Sequence, residues 1–342
     1  AARREEAAAD VEAGSPSKTR AARGGGCLSQ RLAGSEGVIV VAASALFFSL
    51  MGAGVLFASD VFTSTQEMLA RSVVQMSVSL SFLVWKRLPL LGAPEVRRWV
   101  LLRGTLGALG NWILFFAITQ IPLGDANAVL LMNPVFTAIL SCILLGEPLR
   151  AVEGAALVLS LAGVTLVSRP PALFGGSPAV LEDKAPRQAV MALCLFGAFM
   201  TGSIFIIVKR IGKAAHWMSL VFSFSLCGAV LSSLALALGV QAARWPSPAD
   251  VGWLPYLSLL GIGLMGSLAQ SLFNMGMQLE KKPSVASITR QLDVPFAFLW
   301  QVALFGQPLA GLSLLGSTLC CRSPRRCWAG GFFARLRRRR PT

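Results

Sequence analysis

The sequence predicts an all-α polytopic membrane protein, with ten transmembrane helices in two inverted five-helix halves and an atypically short tenth helix. Three observations carry this. Hydrophobic residues make up 54% of the 342-residue chain and charged residues only 14%, against about 25% charged in average soluble chains. The charge is crowded into short segments between long apolar runs, most of them about the length a helix needs to cross the hydrocarbon core. A run that begins at residue 133 also returns at residue 293, so the second half repeats the first.

The elements follow in order. Residues 1–36 have the Ala/Gly/Ser/charged make-up of a disordered cytoplasmic tail, and are too polar for a signal peptide. The first span is 38–58. The second, 67–85, carries Glu67, Arg71, Gln75 and Ser79 at intervals of four, so they share one helix face. The third, 100–119, has Gly104, Gly107 and Asn111 at helical spacing, a face suited to close helix packing. The fourth, 126–145, places Asn133, Thr137 and Ser141 on one face, with Pro134 at midspan. The fifth, 152–168, is apolar and ends the first half.

Residues 169–187, "RPPALFGGSPAVLEDKAPR", form a Pro/Gly-rich connection that divides the spans five and five. The sixth and seventh spans follow at 188–208 and 217–240. The eighth, 254–276, carries the stripe Ser267, Gln270, Asn274 and Gln278. The ninth, 283–305, holds Arg290 and Asp293 three residues apart, with Pro295 just beyond. The tenth begins at 309 and offers thirteen residues, "LAGLSLLGSTLCC", which reach about 20 Å against a core of about 30 Å. Lengthening it would bury Arg322, Arg325 and Arg326 and place Pro324 within the helix. The expectation is a half-length or re-entrant tenth element, with the Arg-rich tail 321–342 held at the cytoplasmic membrane face.

Loop charge orients these spans. Lys86, Arg87, Arg97, Arg98, Arg150, Lys209, Arg210, Lys213, Lys281 and Lys282 all fall in even-numbered connections. Arg244 is alone in the first, third, seventh and ninth, and the central connection holds Arg169, Lys184 and Arg187. Cytoplasmic loops carry the excess of Lys and Arg, so both termini are expected in the cytoplasm. Trp85, Trp99, Trp217 and Trp253 sit at span ends, where an interfacial belt is expected.

The net charge of +15 has the same origin, since eight arginines follow residue 321 and most others flank the inner face. No folded basic domain interleaved with aromatics is present, so nucleic acid is not an expected partner. Anionic inner-leaflet lipid is. A homodimer remains open. Of seven cysteines, Cys142, Cys194 and Cys227 lie inside spans and the rest near the chain ends, which offers no disulfide framework. Cys320 and Cys321, beside basic residues, form a weak acylation signal. No cluster with metal-ligand spacing, no phosphate-cradling loop and no nucleophile elbow occurs, so neither an enzyme nor a cofactor is expected.

The repeat is readable directly. Set "NPVFTAILSCILLGEPL" (133–149) against "DVPFAFLWQVALFGQPL" (293–309): Phe136, Leu144, Gly146, Pro148 and Leu149 fall on Phe296, Leu304, Gly306, Pro308 and Leu309. An odd number of spans per unit inverts the second copy, as in secondary transporters. The stretch "GDANAVLLMNPVFTAILSCILLGEPL" resembles the fourth helix of an EamA repeat, the five-helix unit of the drug/metabolite transporter superfamily. "LLRGTLGALGNWILFF" and "ITRQLDVPFAFLWQ" are similar to the G subgroup of solute carrier family 35. The resemblance implies a first repeat over 37–168, a second over 188–320, and movement of a small solute by alternating access.

Charge at a helix centre costs roughly 2.5–3.5 kcal/mol on insertion scales, and persists where it faces a bundle interior or watery cavity with a partner. The polar stripes of the second, fourth, eighth and ninth spans are expected to converge on such a cavity. Its candidate substrate-binding residues are Arg71, Gln75, Asn133, Asn274, Arg290 and Asp293. Pro134 and Pro295 are expected to interrupt their helices at corresponding places in the two halves. Arg71 and Arg290 favour an organic anion as solute. The alternative is a non-transporting membrane regulator, or a transporter copy impaired by its tenth helix.

Overall fold

The computed structural model describes residues 36–59, 61–120, 129, 132–146, 151–168, 187–240, 245–280 and 282–305. The connections 121–128 and 169–186, and everything beyond residue 305, lie outside them, so the predicted tenth element does too.

Among the described residues all regular structure is helical. The first half supplies α1 (Glu36–Ala58), α2 (Ser64–Trp85), α3 (Arg97–Gln120), α4 (Asn133–Leu145) and α5 (Ala151–Ser168). The second supplies α6 (Arg187–Ile211), α7 (Trp217–Ala237), α8 (Leu254–Leu279), α9 (Pro283–Arg290) and α10 (Asp293–Phe305). Short turns at Pro94–Val96 and Pro248–Val251 precede α3 and α8. Five of these helices, α1, α2, α6, α7 and α8, are long and apolar enough to cross a membrane.

Local chemistry sets the boundaries. Gln66 reaches back to accept the Thr63 N–H at 2.9 Å, which opens α2 with half of a capping box. His216 Nδ1 accepts the Met218 N–H at 3.2 Å and caps α7. Gly146 ends α4 at φ +63°, in the left-handed region that suits glycine. Gly92 turns at φ +72°, and a Cβ there would stand 2.6 Å from the Ala215 Cβ, so shape and space both require glycine.

Packing interlocks the two halves. Helix α2 lies against α7 and α8, α3 against α6 and α7, and α4 against α6 and α9. Small residues set the approach. A Cβ on Gly228 of α7 would meet Ser72 Oγ at 2.7 Å, and one on Gly104 of α3 would meet the Ser223 carbonyl oxygen at 2.7 Å. Helix α1 packs on α8, where the Phe48 and Phe273 rings meet edge-on at 6.2 Å. Trp300 of α10 donates to Ser49 Oγ of α1 at 3.0 Å.

The interior is unusually polar and the exterior apolar. Gln66, Glu67, Arg71, Gln75, Arg103, Gln270 and Asn274 are buried, while Val84, Ile143, Leu238 and Leu254 are largely exposed. Water would penalise that distribution, whereas hydrocarbon accommodates it.

Sequence and structure differ at three points. The ninth span is interrupted as expected, but the break falls ahead of Pro295, at Gln291 and Leu292 between α9 and α10. Pro134 and Pro295 do not free a carbonyl in mid-helix. Both lie in the first turn of α4 and α10, where a missing N–H leaves no vacancy in the ladder. Glu67 and Arg71 do not pair, although four residues apart. Both are buried, and Arg71 turns to an aromatic ring instead.

Candidate functional site

Two helix starts frame the candidate site. Asn133 and Asp293, aligned in the internal repeat, are the first residues of α4 and α10, each a 13-residue helix. Arg290 closes α9 and Asp293 opens α10, so the cation meets the negative end of one helix dipole and the carboxylate the positive end of the next. Their side chains join at 2.5 Å, Arg290 Nη1 to Asp293 Oδ2, and both are partly buried. Asp293 Oδ1 is buried without a partner. The Arg290 guanidinium also lies over Phe48 at 4.1 Å and within 6.0 Å of the Phe273 ring centroid.

Arg71 approaches from α2. It is 7% exposed, its Nε has no partner, and its guanidinium lies 5.6 Å from the Phe224 ring of α7. Gly266 of α8 makes room for it, since a Cβ there would stand 3.0 Å from Arg71 Nε. One turn along α2, Gln75 is fully buried with neither amide atom partnered.

The α8 stripe carries Ser267, Gln270 and Asn274 inside the fold. Asn274 is fully buried, and its Oδ1 accepts from Arg103 Nη2 at 2.9 Å. Arg103 was not expected from the sequence. It is 1% exposed on α3, donates to the Leu220 carbonyl at 3.3 Å, and lies 5.3 Å from the same Phe224 ring as Arg71. Six residues into α3, "RRWVLLRGTLGALGNW" already carried the signal: one full charge in an apolar run, the criterion that singled out Arg290.

Asn133 is held through its backbone. Its carbonyl accepts from Thr137 Oγ1 at 3.0 Å, and Thr137 Oγ1 also donates to the Gly202 carbonyl of α6 at 3.2 Å. The α4 stripe therefore packs on α6, and its hydroxyl is satisfied locally.

Neither Arg71 nor Arg103 has a carboxylate within ion-pair distance among the described residues. Removing an unpaired ion from water costs several kcal/mol after relaxation. Aromatic faces and neutral amides offset part of that. The arrangement is suited to receive negative charge. No group of three or more metal-ligating side chains occurs among the described residues.

The chain is similar to known transporters. The model of an EamA-like transporter family matches residues 35–169. A probable transport protein of Saccharomyces cerevisiae is 30% identical over 70% of this chain and 71% of its own length. Solute carrier family 35 member G1 of Homo sapiens is 28% identical over 76% of this chain and 72% of its own. A pseudopaline exporter of Pseudomonas aeruginosa is 26% identical, covering 83% and 93% respectively. A solved crystal structure shares the fold at a TM-score of 0.70 and 18% identity, over 86% of this chain and 96% of the other.

Proposed function

Because the chain belongs to the EamA-like transporter family, we propose that it moves a small organic anion across a membrane by alternating access. It is an integral multi-pass membrane protein whose relatives are transporters. The observation that carries the proposal is that Arg71 and Arg290 both stand against aromatic rings inside the bundle, with Asp293 the only carboxylate in ion-pair contact with either among the described residues. A solute carboxylate or similar group would supply the charge this place lacks. Arg71, Gln75, Asn274, Arg290 and Asp293 would line the path, with Asn133 at the start of α4.

The same proposal holds ten spans in two inverted repeats, 37–168 and 188–320, joined through 169–187. Contact reciprocity supports it. If α1 to α4 correspond to α6 to α9–α10, then α2 against α8 answers α7 against α3, and α4 against α6 answers α10 against α1. Rocking of one repeat against the other would expose the site to each side in turn. The Lys/Arg-rich connections and both termini would face the cytoplasm, with the basic tails on anionic lipid.

The test is an uptake screen in vesicles reconstituted with the full chain, using labelled anionic, neutral and cationic metabolites. Accumulation of an anionic class above empty vesicles is expected. Partner binding without solute-dependent uptake or stabilisation would favour a non-transporting regulator.

A further inference from the structure

We propose that Arg103, Asn274 and the Phe224 ring form an anion subsite that holds a negatively charged group of the solute from the α3 side. This rests on the anionic-solute reading above and adds to it a residue that neither the repeat nor the polar stripes had marked.

Observations on α2, α3, α7 and α8 converge. Arg103 is 1% exposed, and of its guanidinium nitrogens only Nη1 and Nη2 have partners, the Leu220 carbonyl and Asn274 Oδ1. Its Nε is buried and unpartnered. Asn274 is fully buried, and its Nδ2 is likewise unpartnered, so a second donor lies beside the cation. Arg71 stands against the same Phe224 ring, so two cations share one aromatic neighbour with no carboxylate in ion-pair contact among the described residues.

A purely structural arginine would have its charge matched. Interior arginines in membranes pair with acids or fill their fork with carbonyls. Arg103 has one carbonyl and one neutral amide, so its positive charge is solvated but not neutralised. The helices α6, α7 and α8 contain no Asp or Glu, and Glu67, buried on α2, makes no ion pair with Arg103. No acid pairs with Arg103 among the described residues, and a solute group would supply the missing charge. A carboxylate or phosphate-type group accepts from guanidinium and amide donors together, which fits Arg103 Nε and Asn274 Nδ2.

The experiment uses the purified full-length chain in detergent and reads its thermal unfolding midpoint. Sodium acetate, succinate and phosphate are compared with sodium chloride at equal ionic strength. One of the first three is expected to raise the midpoint by several degrees over chloride, and Arg103→Gln to abolish that rise. Asn274→Asp supplies an internal counter-ion. It is expected to raise the basal midpoint and to remove the response to added anion, which keeps the proposal testable if Arg103→Gln fails to fold.

An anion response that survives Arg103→Gln, or a basal midpoint lowered by Asn274→Asp, overturns the proposal. So does the absence of any anion response in the parent chain. Stabilisation by phosphatidylglycerol but by no soluble anion would assign the chemistry to a lipid headgroup and overturn it as well. A response lost only in Arg290→Gln would leave the anionic-solute reading standing while removing Arg103 from the site.

Discussion

Arg290 Nη1 lies 2.5 Å from Asp293 Oδ2, and the pair spans the break between α9 and α10. Each charge complements the helix end it occupies, so the ion pair stabilises the interruption itself. Arg290→Ala would leave the carboxylate partly buried with neither oxygen paired. A loss of about 1–3 kcal/mol is expected, the usual range for a stranded charged hydrogen-bond partner. Asp293→Asn in the same chain is expected to recover part of it. Thermal unfolding in detergent measures both, and equal midpoints for the single and double variants would contradict the coupling.

Gly104 is expected to resist even alanine. Its Cβ would stand 2.7 Å from the Ser223 oxygen and 2.8 Å from the Ser223 carbonyl carbon, and that backbone belongs to α7 and cannot turn aside. Overpacking of this kind costs about 1–3 kcal/mol. Gly52→Ala is the control, since nothing lies within 4 Å of its added Cβ, and in a helix interior it is expected to be neutral or slightly stabilising. Folded yield and unfolding midpoint decide between the two outcomes.

Much of this was legible in the sequence, for identifiable reasons. Span positions follow from apolar runs, and the inward faces of α2 and α8 follow from polar residues at helical spacing, a periodicity that survives any detail of packing. The helix starts at Asn133 and Asp293 fall on aligned residues of the internal repeat. Contacts between helices were not legible. Spacing allowed Glu67 and Arg71 to pair, but Phe224 from α7, which no spacing rule places, takes the guanidinium instead. The interruption is legible from Pro295, but its place at Gln291–Leu292 is not, because a proline marks a break's neighbourhood without fixing which residue starts the helix. Arg103 went unmarked because glycine, not a polar side chain, stands at the next helical turn of its own span.

Acidification is expected to loosen the α6–α7 connection. His216 is partly buried, which lowers its pKa below the ordinary value, and its Nδ1 must be unprotonated to accept the Met218 N–H. A histidine with a depressed folded pKa contributes stability that is complete above its unfolded value of about 6.5 and is lost as pH falls through the folded one. Unfolding midpoints are expected to fall below about pH 6.5 in the parent chain. His216→Asn retains an N-capping acceptor and should flatten that dependence. An unchanged pH profile in the variant would contradict the assignment.

Sidedness has its own test. Epitope tags at the N-terminus and within residues 175–180 are expected to lie on opposite faces of the membrane, given the loop-charge asymmetry. After selective permeabilisation of the plasma membrane, the N-terminal tag should become accessible while the central tag stays protected in an intracellular compartment. At the cell surface the order reverses. Simultaneous access to both from the cytoplasmic side would contradict the ten-span inverted arrangement.

The central claim is that the charges inside this bundle handle solute as well as hold helices. Uptake per folded molecule separates those roles most directly, measured in vesicles containing the parent chain, Arg290→Ala, Asp293→Asn and the double variant. Arg290→Ala is expected to lose tenfold or more of anion uptake per folded molecule, and adding Asp293→Asn to restore stability without restoring uptake. Undiminished uptake by Arg290→Ala would show that the pair is structural only, and would contradict the account.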